Sequence, residues 1–105
     1  MKIRQATGRD QTKLLVLMRE AHGLDDEASD EEWEQTETAI ITLLRDPLAG
    51  EAELILDDAD EMVGYMIMCR GFSLDYGGYF TWVEETYIQD QEAEQSRFRD
   101  QRFSS

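Results

Sequence analysis

The spacing of apolar residues changes at Gly50, and this change divides the chain into a helical first half and a stranded second half. Before Gly50, apolar residues recur every three or four positions, which is the spacing of one face of an α-helix. After Gly50 they alternate, and the alternating segments are joined by short turns. Consecutive strands with short connections favour an antiparallel sheet, so the sequence predicts an α+β domain with two N-terminal helices packed on a mostly antiparallel sheet.

Two helices are predicted before Gly50. The first begins at Thr7, whose hydroxyl forms a capping box with the carboxylate of Asp10, and it ends at Gly23. The second is predicted to begin with a capping box that starts at Ser29, and to end before Pro47. The apolar spacing within it predicts one buried stripe, which consists of Trp33, Ile40, Ile41 and Leu44.

Four strands complete the prediction and give the element order β-α-α-β-β-β. They are predicted at Lys2–Ala6, Glu51–Leu56, Met62–Arg70 and Tyr79–Ile88. The segment Gly71–Gly78 carries three glycines and is predicted to be a loop. Residues 1–90 are therefore predicted to form one domain. Residues 91–105 have almost no apolar periodicity and are predicted to form a polar C-terminal tail.

The charge balance limits the classes of partner. The 105 residues include 24 Asp and Glu but only 10 Lys and Arg, which gives a net charge of −14. Nucleic-acid affinity depends on cationic contacts with phosphates, so no nucleic-acid partner is expected, whereas a cationic small molecule suits this charge. A single cysteine, Cys69, and a single histidine, His22, do not provide the ligands of a zinc site, and no metal is predicted.

The chain shows no sign of a membrane or secretory protein. No stretch approaches the roughly 18 apolar residues of a membrane span. The first ten residues have no apolar run of the kind that signal peptides carry. The sequence therefore predicts a cytoplasmic location and no contact with a membrane.

Several segments, taken in this order, resemble the GNAT superfamily of N-acetyltransferases. Ile3–Thr7 and the run Leu14–Met18 resemble the opening strand and first helix of that family. Glu61–Met66 resembles its third strand, and Glu84–Ile88 resembles its fourth. Gly71–Gly78 resembles a loop in members near the polyamine and small-amine branch. The resemblance covers residues 1 to about 89. It implies the N-terminal part of a GNAT fold and the family reaction, which transfers an acetyl group from acetyl-CoA to an amine.

The resemblance ends where the family places its coenzyme loop. In the family, the fourth strand leads into Arg/Gln-x-x-Gly-x-Gly/Ala at a helix N-terminus, and the backbone amides there hold the pyrophosphate of coenzyme A. Residues 89–105 contain no glycine, and side chains at the glycine positions would block the approach of the backbone to phosphate. We therefore expect this chain to bind no cofactor as it stands, although the family uses acetyl-CoA. Truncation or a frameshift just past Ile88 is the hypothesis that accounts for the break.

Four residues are candidates for an amine-binding site. The resemblance implies that Glu84 and Glu85 orient the amine or relay its proton, because an ammonium must lose a proton before its nitrogen can attack. As neighbours on a strand they are expected to point to opposite faces. The alternative is that one is solvated and the other pairs with an arginine. Asp75 would attract the cation and Tyr76 would form a wall of its pocket, unless this segment is only a glycine-rich hairpin loop.

Three functions remain open at this point. The chain is a GNAT-related domain that is inactive alone, an active acetyltransferase for a small amine or polyamine with atypical cofactor binding, or a non-enzymatic module. The third would bind a basic protein or polyamine through the acidic residues between positions 25 and 37.

Self-association is also expected. The family's next strand has no counterpart here, so Tyr79–Ile88 is predicted to be an edge strand with exposed apolar side chains. A homodimer that buries this strand or the adjacent sheet face, over at least about 1,000 Å² in total, is the expected assembly.

Overall fold

The computed structural model describes residues 1–24 and 30–89 and contains four strands and two α-helices in these ranges. They are β1 (Lys2–Gln5), α1 (Gln11–Ala21), α2 (Glu31–Arg45), β2 (Gly50–Leu56), β3 (Met62–Ser73) and β4 (Gly78–Ile88), with a 3-10 turn at Gly8–Asp10 before α1. The predicted α+β class and order of elements are confirmed. The predicted tail at 91–105 lies outside the described residues, as do positions 25–29 of the acidic segment.

The strands form one antiparallel sheet in the order β1-β2-β3-β4. Both helices cover the same face of this sheet. Along β2, Ala52 and Leu54 point to the helices and are buried, whereas Glu51 points away from them and is exposed. Among the described strands β4 lies at an edge, as predicted from the sequence.

The hydrophobic core lies between the helices and the sheet. Its largest fully buried side chains are Tyr65, Leu14, Met18, Leu54 and Val63. On α2 the buried residues are Trp33, Ile40 and Leu43, whereas Ile41 and Leu44 are only half-buried. The predicted stripe is therefore corrected at its C-terminal end, because the helix directs Leu43, and not Ile41 or Leu44, most closely toward the sheet.

Side-chain caps determine where the helices begin. The predicted capping box of Thr7 and Asp10 is present, and Asp10 Oδ2 accepts a hydrogen bond from the Thr7 amide at 2.8 Å. The predicted cap of α2 at Ser29 is wrong by one position. Asp30 is the N-cap, and its Oδ1 accepts from the amide of Trp33 at 2.8 Å. A carboxylate caps as well as a hydroxyl and is further favoured by the helix dipole.

The hairpin of β3 and β4 is longer than the sequence predicted. Gly71 and Gly78 are strand residues, and only Leu74–Gly77 forms the turn, so the predicted eight-residue loop is wrong. Gly71 lies opposite Phe80 in the ladder. A Cβ at Gly71 would lie 2.9 Å from the ring of Trp82 and 3.0 Å from that of Phe80. This glycine therefore admits aromatic rings above the strand instead of turning the chain.

The far end of this hairpin extends past the rest of the sheet. The pairing of β2 with β3 ends where Gly50 meets Cys69, so beyond that point β4 is the only strand among the described residues that pairs with β3. We call residues 70–82 the aromatic arm.

Candidate functional site

The side chain of Glu85 joins β4 to β3 and to α1. Tyr65 Oη donates a hydrogen bond to Glu85 Oε2 at 2.5 Å, and His22 Nε2 lies 2.9 Å from the same oxygen. His22 is the C-cap residue of α1, and Tyr65 lies on β3. Glu85 Oε1 makes no hydrogen bond within residues 1–24 and 30–89. We call these three residues the Glu85 cluster.

The members of the Glu85 cluster differ in their access to solvent. Tyr65 is fully buried. Burial first, and then the hydrogen bond to Glu85, raises the pKa of Tyr65 above its usual value. Its phenol therefore stays neutral and acts as a fixed donor. The side chains of His22 and Glu85 remain 35% and 28% exposed. The cluster thus presents an accessible carboxylate that is positioned by a buried hydroxyl.

A β-bulge changes the direction of Glu84. The β3–β4 register shifts by one residue between Ile67 and the next position, which leaves Glu84 as the extra residue of β4. Its Oε1 accepts from Trp82 Nε1 at 2.7 Å, and its charge adds to burial in raising the pKa of Cys69. Trp82 and Cys69 pair on the helix side, so Glu84 and Glu85 lie toward the same side. The expectation of opposite faces is wrong because the bulge interrupts the strand alternation.

An acidic cleft opens beside the Glu85 cluster. It encloses about 220 Å³ and is lined by His22, Leu24, Asp30, Glu32, Trp33 and Thr36. The His22 ring packs edge-on against Trp33, with the ring centres 5.8 Å apart. Trp33 is almost fully buried, and its Nε1 has no hydrogen-bond partner among the described residues. Among the described residues, two carboxylates line the cleft and a third contacts His22, while the Arg19 guanidinium lies 5.0 Å from the Trp33 ring centre. The carboxylates outnumber this cation and favour a cationic ligand.

The other two candidates lie far from the Glu85 cluster. Asp75 and Tyr76 form part of the turn at the end of the aromatic arm, and the Tyr76 ring packs on Phe80 with centres 5.0 Å apart. Ser73, next to the turn, is six positions along β3 from Ile67, which pairs with Glu85. At about 3.3 Å per residue, the turn and Glu85 are roughly 20 Å apart. The structure does not bring the two predicted pairs together.

Sequence reasoning missed the partners of Glu85. The sequence indicates only that His22 is a single histidine without the partners of a zinc site, and 63 positions separate it from Glu85. Tyr65 stands in an alternating strand pattern that predicts burial and says nothing about its hydroxyl. No local signal links these residues, because the contacts form only when α1 packs across β3 and β4.

The described residues do not fit the pyrophosphate of coenzyme A. Anion sites of this kind use free amides at a helix N-terminus. The start of the α1 segment is occupied by the Thr7–Asp10 capping box. The start of α2 is capped by Asp30 and followed by Glu31, Glu32 and Glu34, which repel phosphate. We therefore derive no catalytic step through the coenzyme.

The described ranges hold neither a metal-binding cluster nor a membrane-spanning helix. No group of three or more His, Cys, Asp and Glu side chains in residues 1–24 and 30–89 is arranged to hold a metal ion. None of the helices in the same ranges has the length and apolar character needed to cross a membrane.

The element order, the antiparallel sheet and the two helices on one face form the N-terminal part of the GNAT fold, as the sequence resemblance predicted. Solved acetyltransferase structures confirm this fold. A "possible acetyltransferase" from Clostridium difficile 630 aligns over 92% of this chain with a TM-score of 0.64 and 20% identity. A ribosomal-protein-alanine N-acetyltransferase from Brucella melitensis biovar Abortus 2308 aligns over 94% with a TM-score of 0.63 and 18% identity.

A further similar structure is the integron cassette protein HFX_CASS3 from the mobile metagenome of Cole Harbour Salt Marsh. It aligns over 90% of this chain with a TM-score of 0.72 and 28% identity. The chain spans 60% of the length of this protein, 62% of the Clostridium protein and 74% of the Brucella protein. No family model matches the sequence, and a search of curated proteins finds no match.

Proposed function

We propose that the chain is a GNAT-related domain that binds an amine cation at Glu85 and does not transfer an acetyl group by itself. The observation that supports this proposal is the Glu85 cluster beside the acidic cleft. Both donors, Tyr65 and His22, contact Oε2, which leaves Oε1 as an acceptor for an ammonium group. The cleft adds the carboxylates of Asp30 and Glu32 and has room for a small aliphatic amine.

The chemistry of the cluster suits an amine that must also be deprotonated. A carboxylate in contact with an ammonium can accept its proton directly or through a water molecule. Tyr65 keeps Glu85 in place because its phenol is buried and remains protonated. His22 lies between Glu85 and the cleft and is the group through which a proton would move between them.

The proposal that the chain alone is inactive rests on the lack of a site for coenzyme A among the described residues. In the family the coenzyme supplies the acetyl thioester, and the described helix starts are already occupied by carboxylates. We expect no rise in melting temperature at millimolar acetyl-CoA. A ligand at 100 times its dissociation constant would add about 2.7 kcal/mol to the free energy of unfolding. Calorimetric binding at micromolar affinity would instead support the second candidate, an active acetyltransferase with atypical cofactor binding.

The amine site is tested by titration with spermidine as the probe, followed by calorimetry and by NMR shifts of backbone amides. We expect shifts centred on His22 and Glu85, and a several-fold weaker affinity for the Glu85→Gln variant. Glu51→Gln is the matched control, since it removes the same charge from an exposed position on the other face of the sheet. Equal weakening by both variants would indicate diffuse attraction to an acidic surface, which is the non-enzymatic module, and would contradict the proposed site.

A further inference from the structure

The aromatic arm carries rings on both of its faces. On one face Phe72 and Tyr79 form an edge-to-face pair with centres 5.2 Å apart, and the Arg70 guanidinium lies 5.4 Å from the Tyr79 ring centre. On the other face Phe80 packs on Trp82 with centres 5.4 Å apart. The arm therefore forms a two-sided aromatic surface that is already ordered by its own ring contacts.

Much of this surface is exposed to solvent. The exposed fractions are 63% for Phe72, 64% for Tyr79, 74% for Tyr76, 42% for Trp82 and 87% for Leu74. A two-stranded ribbon is at best marginally stable in water when nothing packs against it. Contiguous exposed apolar patches on soluble proteins mark interaction sites.

We propose that the aromatic arm is the interface of a homodimer, in which the arms of two copies pack antiparallel across a two-fold axis. This assigns the self-association expected from the sequence to residues 70–82 rather than to the whole edge strand. It does not depend on the amine site, since Glu85 lies outside the arm.

A two-fold contact between two arms buries one face of each arm, so the available area is counted for one face. Phe, Tyr and Trp side chains each contribute roughly 150–250 Å² of surface. At the exposures above, Phe72 and Tyr79 offer on the order of 250 Å² per copy, or about 500 Å² in total, before Arg70 and Leu74 are included. These two rings therefore supply about half of the roughly 1,000 Å² of a specific interface, and the other side chains and the backbone of the same face supply the rest.

The charges of the arm favour a second copy as its occupant. The chain carries a net charge of −14, but within the arm the only charged residues are Arg70 and Asp75, so the arm is neutral. Arg70 lies at the base and Asp75 in the terminal turn. In an antiparallel arrangement Arg70 approaches the partner's Asp75, and the symmetric contact forms at the same time. A basic partner would instead be drawn to the acidic surfaces elsewhere on the chain.

The dimer is tested by light scattering and analytical ultracentrifugation of the full chain at micromolar concentration. We expect twice the chain mass, and at least a tenfold weaker association for the double variant Phe72→Ser/Tyr79→Ser. The matched control is Leu48→Ser, which removes an equally exposed apolar side chain, 67% exposed, outside the arm. Circular dichroism establishes that each variant is folded. A monomeric wild type, or equal weakening by the control, overturns the proposal.

Charge reversal gives a second readout that does not alter the rings. Arg70→Glu and Asp75→Arg should each weaken association several-fold, and the combination of the two should restore it. Added salt should not dissociate the wild-type dimer, because it screens the repulsion between two chains of −14 charge. Failure of the combined variant to recover argues against the antiparallel arrangement, and dissociation of the wild type by salt argues against an interface held mainly by the aromatic rings.

Discussion

β3 and β4 run through two different environments. At the end covered by the helices, Tyr65 and Ile67 are buried and face Tyr87 and Glu85 across the ladder. In the aromatic arm the same two strands pair just as regularly, yet Phe72 and Tyr79 remain largely exposed. Backbone pairing is therefore equal in the two regions, and the difference lies in what packs on the side chains.

The comparison also explains where the candidate site lies. The Glu85 cluster forms where α1 ends and the covered part of β4 gives way to the bulge at Glu84. Full burial would make an unpaired carboxylate costly, and full exposure would leave it without fixed donors. A carboxylate at the boundary can be held by a buried phenol and still meet a ligand.

The largest expected difference in stability between the two regions comes from replacing a leucine with alanine in each of them. Leu14→Ala on α1 should lower the free energy of unfolding by about 2–5 kcal/mol, because Leu14 is fully buried. Leu74→Ala in the arm should change it by no more than about 0.5 kcal/mol. Urea denaturation in the Phe72→Ser/Tyr79→Ser background removes any contribution from assembly. Equal losses would show that the arm is packed like the core.

A smaller difference is expected when a methyl group is added to a strand glycine. In Gly64→Ala the new Cβ would lie 2.5 Å from the backbone oxygen of Tyr87, and the strand must move. The loss should be about 1–3 kcal/mol. In Gly71→Ala the neighbours are the rings of Trp82 and Phe80, which can shift, so the loss should be below about 1 kcal/mol. Thermal unfolding measures both, and a larger loss at Gly71 would show that the rings of Trp82 and Phe80 cannot shift.

The ion pair between Arg4 on β1 and Asp10, just before α1, should make the stability depend on pH. Arg4, then the Thr7 amide, lowers the pKa of Asp10 from 3.8 to about 2, although burial opposes this shift. Because the folded-state pKa is below the unfolded one, the stabilisation is present above pH 4 and is lost as the pH falls toward 2. Asp10→Asn should therefore cost about 1–2 kcal/mol at pH 6, since Arg4 is half-exposed, and progressively less below pH 4. A constant cost from pH 6 to pH 2 would exclude this linkage.

The smallest expected effect is the difference in stability between removing the hydroxyl of Tyr65 and removing that of Tyr79. Tyr65→Phe removes the donor to Glu85 and should cost about 0.5–1.5 kcal/mol. Tyr79→Phe removes a hydroxyl from an exposed ring of the arm and should cost nothing measurable. Chemical denaturation compares the two variants. A Tyr65→Phe protein as stable as the wild type would mean that the hydroxyl does not hold Glu85.

Much of the fold was predictable because its signals are local. The capping box at Thr7 and the glycine that ends α1 lie within a few residues of the boundaries they set. The errors arose where two local patterns compete. Asp30 and its neighbour Ser29 are both good caps, and Gly71 is typical of a loop until its ring contacts are known.

The sequence by itself determined the α+β class, the order of the elements, the acidic charge and the presence of carboxylates at Glu84 and Glu85, because each follows from composition or from spacing along the chain. Only the tertiary structure decided that His22 and Tyr65 meet at Glu85, that Glu84 is a bulge residue, and that residues 70–82 extend past the pairing of β2 with β3. These features depend on contacts between segments up to 63 positions apart. Such contacts are selected by how α1 and the sheet pack together, and spacing within a single segment carries no information about them.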